Sequence, residues 1–169
     1  MPRNTEIKAR IPSIAALIPD IELLATGGPD IFEQDDTFFH CTHGRLKLRV
    51  FTAGKGELIQ YQRPDTAGPK ESTYVIVPTS DPDSLRTALT RAYGVAGRVR
   101  KRRTLYMIGR TRVHLDEVEG LGNFLELEVV LDEHESAQQG EAVARDLLAR
   151  LGIAPHDLID GAYIDLLHR

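Results

Sequence analysis

The feature that most constrains this chain is a repeated alternation of charged and apolar residues. Arg45, Lys47 and Arg49 alternate with Leu46, Leu48 and Val50. Glu126 and Glu128 alternate with Leu125, Leu127 and Val129, and near the N-terminus Asn4, Glu6, Lys8 and Arg10 share one parity. A β-strand sends successive side chains to opposite faces, so each run predicts one ionic face and one apolar face. The apolar face must be covered by a core. The ionic face either meets water or lines a charged interior. Several such strands of opposite charge favour the interior: bases for a polyanion, carboxylates for the metal that travels with it.

Length and composition bound the rest. With 169 residues, 41% apolar and 27% charged, the chain reads as one domain over 1–169, large enough for a proper core and too apolar for disorder. No apolar run approaches the ~20 residues of a membrane helix, and the polar start MPRNTEIKAR carries no signal-peptide pattern. The single cysteine, Cys41, cannot form an internal disulfide. These features predict a soluble, cytoplasmic protein with no membrane partner. The net charge of −4 argues against a general nucleic-acid binder. Its distribution is uneven: residues 98–112 hold Arg98, Arg100, Lys101, Arg102, Arg103, Arg110 and Arg112 with no acid, whereas residues 116–135 hold eight acids with no Lys or Arg. That separation fits a site holding anion and cation side by side, and equally fits two solvated surfaces.

Periodicity predicts strands over 4–11, 31–40, 44–52, 57–63, 72–77, 97–108, 111–116 and 123–131. Ala53-Gly54-Lys55-Gly56 supplies hairpin-turn chemistry, and Pro64 to Pro69 a loop. A helix over 13–25 puts Ile14, Leu17, Ile18, Ile21 and Leu24 on one stripe, is expected to break or kink at Pro19, and ends at Gly27-Gly28-Pro29. Ser80 is placed to cap a helix over 81–93 with Leu85, Ala88, Leu89 and Ala92 inward. A third helix runs over about 136–151, and short helical turns carrying Tyr163, Leu166 and Leu167 close the chain. About eight strands joined mostly as hairpins define an α+β fold on an antiparallel sheet, enough to close a β-barrel with helices packed outside. If it closes, the charged parity points inward and Leu46, Leu48, Leu125 and Leu127 lie under the helices, an inversion that is costly unless the interior is wet or its charges pair.

The candidate site follows from parity. Arg112, His114 and Asp116 share one face, and Phe124, Glu126 and Glu128 another. Convergence of Asp116, Glu126, Glu128 and Glu6 gives an oxygen-rich cage suited to Mg²⁺ or Mn²⁺; ordinary exposed acids are the alternative. Arg45, Lys47, Arg49, Arg63, Lys101 and Arg103 offer the rigid donors a polyphosphate requires, although Arg100 and Arg102 could face inward in place of Lys101 and Arg103. A basic RNA-binding surface remains open for the 98–103 cluster, with aromatics at 6% thin for that role. His114 reads as a hydrogen-bonded structural histidine, and Cys41 as inert.

Glu6-Ile7-Lys8-Ala9-Arg10 at the N-terminus, the run RVHLDEVEGLGNFLELE from Arg112 to Glu128, the strand ending at Arg49, Tyr61-Gln62-Arg63 and Lys101-Arg102-Arg103 together resemble the CYTH superfamily, the triphosphate tunnel metalloenzymes that include class IV adenylyl cyclases and thiamine triphosphatases. The resemblance spans nearly the whole chain. It implies an eight-stranded antiparallel tunnel, open at both ends, that binds a triphosphate with Mg²⁺ or Mn²⁺. It implies metal ligation by Glu6, Glu126, Glu128 and Asp116. Phosphate binding would fall to Lys8, Arg10, Lys47, Arg49, Arg63, Lys101, Arg103, Arg112 and Tyr163, and catalytic roles to Lys8, Glu6 and Asp116. One position departs: the family opens with two glutamates before the lysine, and here the first is Asn4, which brings no charge and cannot act as a base.

The implied activity is hydrolysis of an organic or inorganic triphosphate (ATP, thiamine triphosphate or tripolyphosphate), or cyclisation of ATP with release of pyrophosphate, by a monomer or homodimer. A non-catalytic polyphosphate- or nucleotide-binding module, motivated by Asn4, is the alternative. Mutating Glu126 or Glu128 is expected to abolish turnover while sparing the fold, and even to stabilise the empty protein by relieving repulsion.

Overall fold

A computed structural model describes residues 2–51, 54–64 and 66–169. Thr52 at the end of the expected 44–52 strand, Ala53 of the expected hairpin turn and Asp65 of the expected loop lie outside them. In chain order the elements are β1 (Arg3–Arg10), α1 (Ile14–Leu24), β2 (Gly27–Phe39), β3 (Arg45–Phe51), β4 (Gly56–Gln62), β5 (Lys70–Thr79), α2 (Pro82–Tyr93), β6 (Val95–Ile108), β7 (Thr111–Val118), β8 (Gly122–Val130), α3 (Ala137–Arg150), a 3₁₀ turn (Pro155–Asp157) and α4 (Tyr163–Leu167). The eight strands close a barrel in the order β1-β5-β4-β3-β2-β6-β7-β8, and every neighbouring pair is antiparallel. No helix among the described residues is long and apolar enough to cross a membrane.

Alternation sets the wall. The outward residues Ile7, Val113, Leu115, Leu125, Leu127 and Val129 of β1, β7 and β8 are fully or almost fully buried. They form a core with Ile21 of α1 and Ala144, Leu147 and Leu148 of α3. Ser136 caps α3 with Gln139 completing a capping box. Close approach explains the glycine in that helix: a Cβ at Gly140 would lie 2.5 Å from Thr5 Oγ1 and 2.6 Å from Leu131, so only hydrogen lets α3 settle onto β1.

Several boundaries differ from those expected. α1 runs unbroken through Pro19, held by Ile21, which is completely buried, and by Ile14, Leu17, Ile18 and Leu24 against the same core. Gly27 to Pro29 open β2 instead of ending the helix. Asp81, not Ser80, caps α2: its Oδ1 accepts from the Ser84 N–H at 3.1 Å, and Pro82 occupies the first helical position. On that helix Leu85 and Leu89 are half-buried while Ala88 and Ala92 are exposed, so its inward stripe is narrower than expected.

The bore differs too. At the end reached by the C-termini of β1 and β2, Ala162, Tyr163 and Ile164 of the C-terminal segment pack among the side chains Phe38, Ile59, Tyr61, Val99 and Phe124. Arg45 donates two hydrogen bonds to Asp165, at 2.8 and 2.7 Å, and anchors α4 there. The C-terminal helix therefore packs into one end of the bore.

Candidate active site

The inward parity of all eight strands lines one cavity of about 350 Å³. Its wall includes Asn4, Glu6 and Lys8 of β1; Gln34 and Asp36 of β2; Lys47 and Arg49 of β3; Tyr61 on β4 with Arg63 just beyond; Ser72 and Tyr74 of β5; Lys101 and Arg103 of β6; Arg112 and His114 of β7; Glu126 and Glu128 of β8; and Tyr163. The ambiguity at 100–103 is settled: Lys101 and Arg103 are buried and inward, Arg100 and Arg102 exposed.

The acidic side is built by register. Lys8 lies opposite Glu126, which lies opposite His114; Glu6 lies opposite Glu128, which lies opposite Arg112. Lys8 Nζ is 3.3 Å from Glu126 and 3.8 Å from the centre of the Tyr163 ring. Arg103 reaches Glu126 at 3.6 Å. Glu6 is paired with Arg63. Glu128 accepts a hydrogen bond from Asn4 Nδ2 at 2.9 Å, contacts His114 Nε2, and lies 3.6 Å from Arg112 Nε. Burial lifts the Glu6 carboxyl above its ordinary range in spite of Arg63, with Glu126 and Glu128 adding to the push. Burial also lowers the Lys8 ammonium and the His114 imidazolium.

The basic side centres on a residue the sequence reading missed. Asp36 is 1% exposed. Arg49 forks onto it at 2.8 and 2.8 Å, Lys47 donates at 3.1 Å, and Lys101 stands 3.9 Å away. Burial opposes ionisation of Asp36, but these three cations outweigh it and hold the carboxyl far below its usual range. Burial, reinforced by Arg49, brings Lys47 down to about 8, and Lys101 also falls well below an ordinary lysine. The signal for Asp36 was the alternation Phe32, Gln34, Asp36, Phe38. Its neighbour Asp35 points outward and pairs with Arg98 at 2.7 and 2.5 Å.

Three expected site residues stand elsewhere; one is Arg45, the first of the expected donors on β3, which is off the cavity wall and holds Asp165 of α4. Asp116 is 0% exposed and off the cavity wall. Arg103 forks onto it at 2.7 and 2.7 Å and the Tyr163 hydroxyl donates to it at 2.7 Å, so its oxygens orient those two side chains instead of facing a metal or a reacting group. Burial would raise its carboxyl, and Arg103 more than reverses that. Arg10 is exposed beyond the cavity: its guanidinium donates to the Leu121 carbonyl at 3.0 Å and lies over the Phe124 ring.

The wall fits a divalent cation by its own chemistry. Ligand atoms of His114, Glu126 and Glu128 lie within 4.8 Å of one another. Asn4 Oδ1 beside them is buried without a hydrogen-bond partner, an oxygen in need of a donor or a cation. Two carboxylates and an amide oxygen suit a hard dication.

Comparison with known proteins agrees with this geometry. The family model of the CYTH domain matches residues 2–163. Adenylate cyclase CyaB of Aeromonas hydrophila is 27% identical over 168 residues, covering 95% of this chain and 83% of that protein. The PH1012 protein of Pyrococcus horikoshii superposes with a TM-score of 0.86 at 27% identity, covering 96% of this chain and 98% of the other. HpAC1 from Hippeastrum, whose structure is described as revealing a dominant triphosphatase activity, shares the fold with a TM-score of 0.66 at 17% identity over 94% and 91% of the two chains.

Proposed function

The chain belongs to the CYTH domain family, and we propose that it is an enzyme acting on a triphosphate with the help of a divalent cation, Mg²⁺ or Mn²⁺. The observation that supports this best is the division of one cavity into a carboxylate wall (Glu6, Glu126, Glu128) and a cationic wall (Lys47, Arg49, Arg63, Lys101, Arg103). A triphosphate with its counter-cation has the same division of charge.

Glu126 and Glu128, with Asn4 and Glu6 adjoining, would hold the cation, which when bound offsets charge on phosphate oxygens. Arg49 and Arg103, whose Nε and Nη2 groups are held by Asp36 and Asp116, would offer their remaining guanidinium N–H groups, and Lys47, Lys101 and Arg63 further donors, to the non-bridging oxygens. Each is already fixed by a carboxylate partner, so little reorganisation is needed when charge shifts toward the leaving oxygen. Lys8, between Glu126 and Tyr163, is placed to orient the attacking oxygen. With water as attacker a P–O bond forms, the bridging P–O bond breaks, and the leaving phosphate keeps the electron pair and takes up the proton that the water gives up. With the 3′-hydroxyl of ATP attacking the α-phosphorus, the products are cyclic AMP and pyrophosphate. Both relatives named for cyclase or triphosphatase activity accord with this pair of outcomes.

The test is incubation with ATP, thiamine triphosphate and tripolyphosphate, each with Mg²⁺ and with Mn²⁺, and chromatography of cyclic AMP and released phosphate. Turnover of at least one substrate that stops on chelation is the expected result. Tight triphosphate binding without turnover would instead establish the binding-module reading, which the neutral Asn4 at the carboxylate wall favours.

A further inference from the structure

We propose that Tyr163 is a positioning residue of the anion site: its ring is the surface on which the Lys8 ammonium is held toward the triphosphate. The inference rests on the reading of the cavity as a triphosphate site.

Three observations carry it. Lys8 is 4% exposed, and its Nζ lies between Glu126, at 3.3 Å, and the Tyr163 ring, whose centre is 3.8 Å away. Lys101 of the basic wall has its Nζ 5.1 Å from the same centre, so one ring serves a cation of each wall. An aromatic face attracts a cation without neutralising it, and so leaves the full charge for an incoming anion. The hydroxyl has a different task. It donates to Asp116 at 2.7 Å, and Asp116 is fully buried off the cavity wall, so the face of the ring is what Tyr163 presents to the two ammonium groups. The ring is also fixed from behind. Its centre lies 5.0 Å from that of Phe124, tilted by 58°. Asp165 accepts from the Ala162 N–H at 2.8 Å and from Arg45, which ties the start of α4 to β3. A Cβ at Gly97 would stand 2.7 Å from Ile164, so the missing side chain lets α4 seat against β6. A surface held this firmly is ordered before the ligand arrives, which lowers the entropy that binding must supply.

Calorimetry with tripolyphosphate in the presence of a chelator reads the cations without the metal, and thermal melts run alongside. Tyr163→Phe keeps the ring and is expected to bind within about threefold of the wild type, whereas Tyr163→Leu and Tyr163→Met have no aromatic face and are expected to bind about tenfold more weakly or worse. A double-mutant cycle with Lys8→Met isolates the pair: with the ammonium gone, either replacement should weaken binding by less than about threefold. A residue that only filled the end of the barrel would lower the melting temperature and give equal losses in both backgrounds. The unmutated chain supplies a further reading by nuclear magnetic resonance. The Lys8 ε-methylene, assigned by its loss in Lys8→Met, should be shifted upfield by the ring both without tripolyphosphate and in the complex. Unchanged affinity in a folded Leu or Met variant, a Phe variant as weak as those two, equal losses with and without Lys8, or a Lys8 signal at the ordinary lysine position in the complex would overturn the role of the ring and leave the triphosphate site standing. Absence of tripolyphosphate binding by the wild type would overturn both.

Discussion

Asp36→Asn offers the sharpest test of the basic wall. Asp36 holds Arg49 through two hydrogen bonds of 2.8 Å and Lys47 through one of 3.1 Å, with Lys101 at 3.9 Å; Asp36 and Lys101 are buried, and the Lys47 and Arg49 side chains are 13% exposed. The amide keeps the shape and removes the charge. Three largely buried cations then face one another with no anion between them, and breaking a buried ionic network by removing one partner costs roughly 3–5 kcal/mol. For a chain of this length about 1 kcal/mol moves the melting temperature by roughly 2–4 °C, so the variant is expected to melt some 6–20 °C lower.

The same change should strengthen anion binding. Tripolyphosphate meets the three cations without a resident competitor, and its added stabilisation in a thermal melt, about 2.7 kcal/mol at a concentration a hundredfold above Kd, should exceed the wild-type increment at the same concentration. Thermal melts with and without tripolyphosphate, paired with calorimetry, read both effects. A melting temperature within 2 °C of wild type, or weaker tripolyphosphate binding in a folded variant, would refute the idea that Asp36 pre-neutralises a phosphate-binding wall.

The other predictions concern the opposite wall, the core and pH. Glu126→Gln should abolish metal-dependent turnover and, because Glu126 is paired with Lys8 and Arg103, should lower the melting temperature of the empty protein; this reverses the stabilisation expected from a crowd of unpaired acids, and an unchanged or raised melting point would restore that expectation. Leu127→Asp, at a 0%-exposed position of the outer core, should cost more than ~4 kcal/mol and leave little folded protein by circular dichroism. Lys47 titrates near 8 in the folded chain because burial and Arg49 disfavour its charge, against about 10.4 unfolded. Between those values the unfolded state holds more protons, so stability of the empty protein should rise with pH from about 8 to 10 by up to ~3 kcal/mol, while tripolyphosphate affinity falls over the same range. Denaturant melts and calorimetry at pH 7, 8 and 9 check both signs, and Lys47→Met should flatten both slopes.

Parity made most of the barrel legible. Charged alternation in 44–52 and 123–131 placed Lys47, Arg49, Glu126 and Glu128 inside and their leucine neighbours outside, where the structure has them. What parity could not supply was the environment each inward group would meet. Asp35 and Asp36 are chemically identical neighbours, and only the register of β2 against β3 and β6 sends one to Arg98 outside and the other to three cations inside. Asp116 shares parity with His114 but sits one step further along β7, opposite Arg103, and that pairing takes it off the wall. Arg10 continues the parity of Glu6 and Lys8 past the layer where the bore is filled by Phe124 and Tyr163, and it is left outside.

That arrangement also explains how an interior this ionic is tolerated. The barrel reverses the usual pattern on β1, β7 and β8, with oil outside under α1 and α3 and charge within. The cost of burying those charges is met locally: Glu6 by Arg63, Glu126 by Lys8 and Arg103, Asp116 by Arg103, and Asp36 by Arg49 and Lys47. Each inward acid in this set has at least one basic partner from elsewhere in the chain, so none of these carboxylates stands unpaired before any ligand arrives, and around Asp36 the cations are in excess. A triphosphate with its dication can then enter as a further pair of opposite charges, exchanging partners instead of creating unpaired charge. Outward and inward side chains alternate along each strand, so substitutions on the outer face should act on stability, and those at the paired acids of the inner face on stability and binding together.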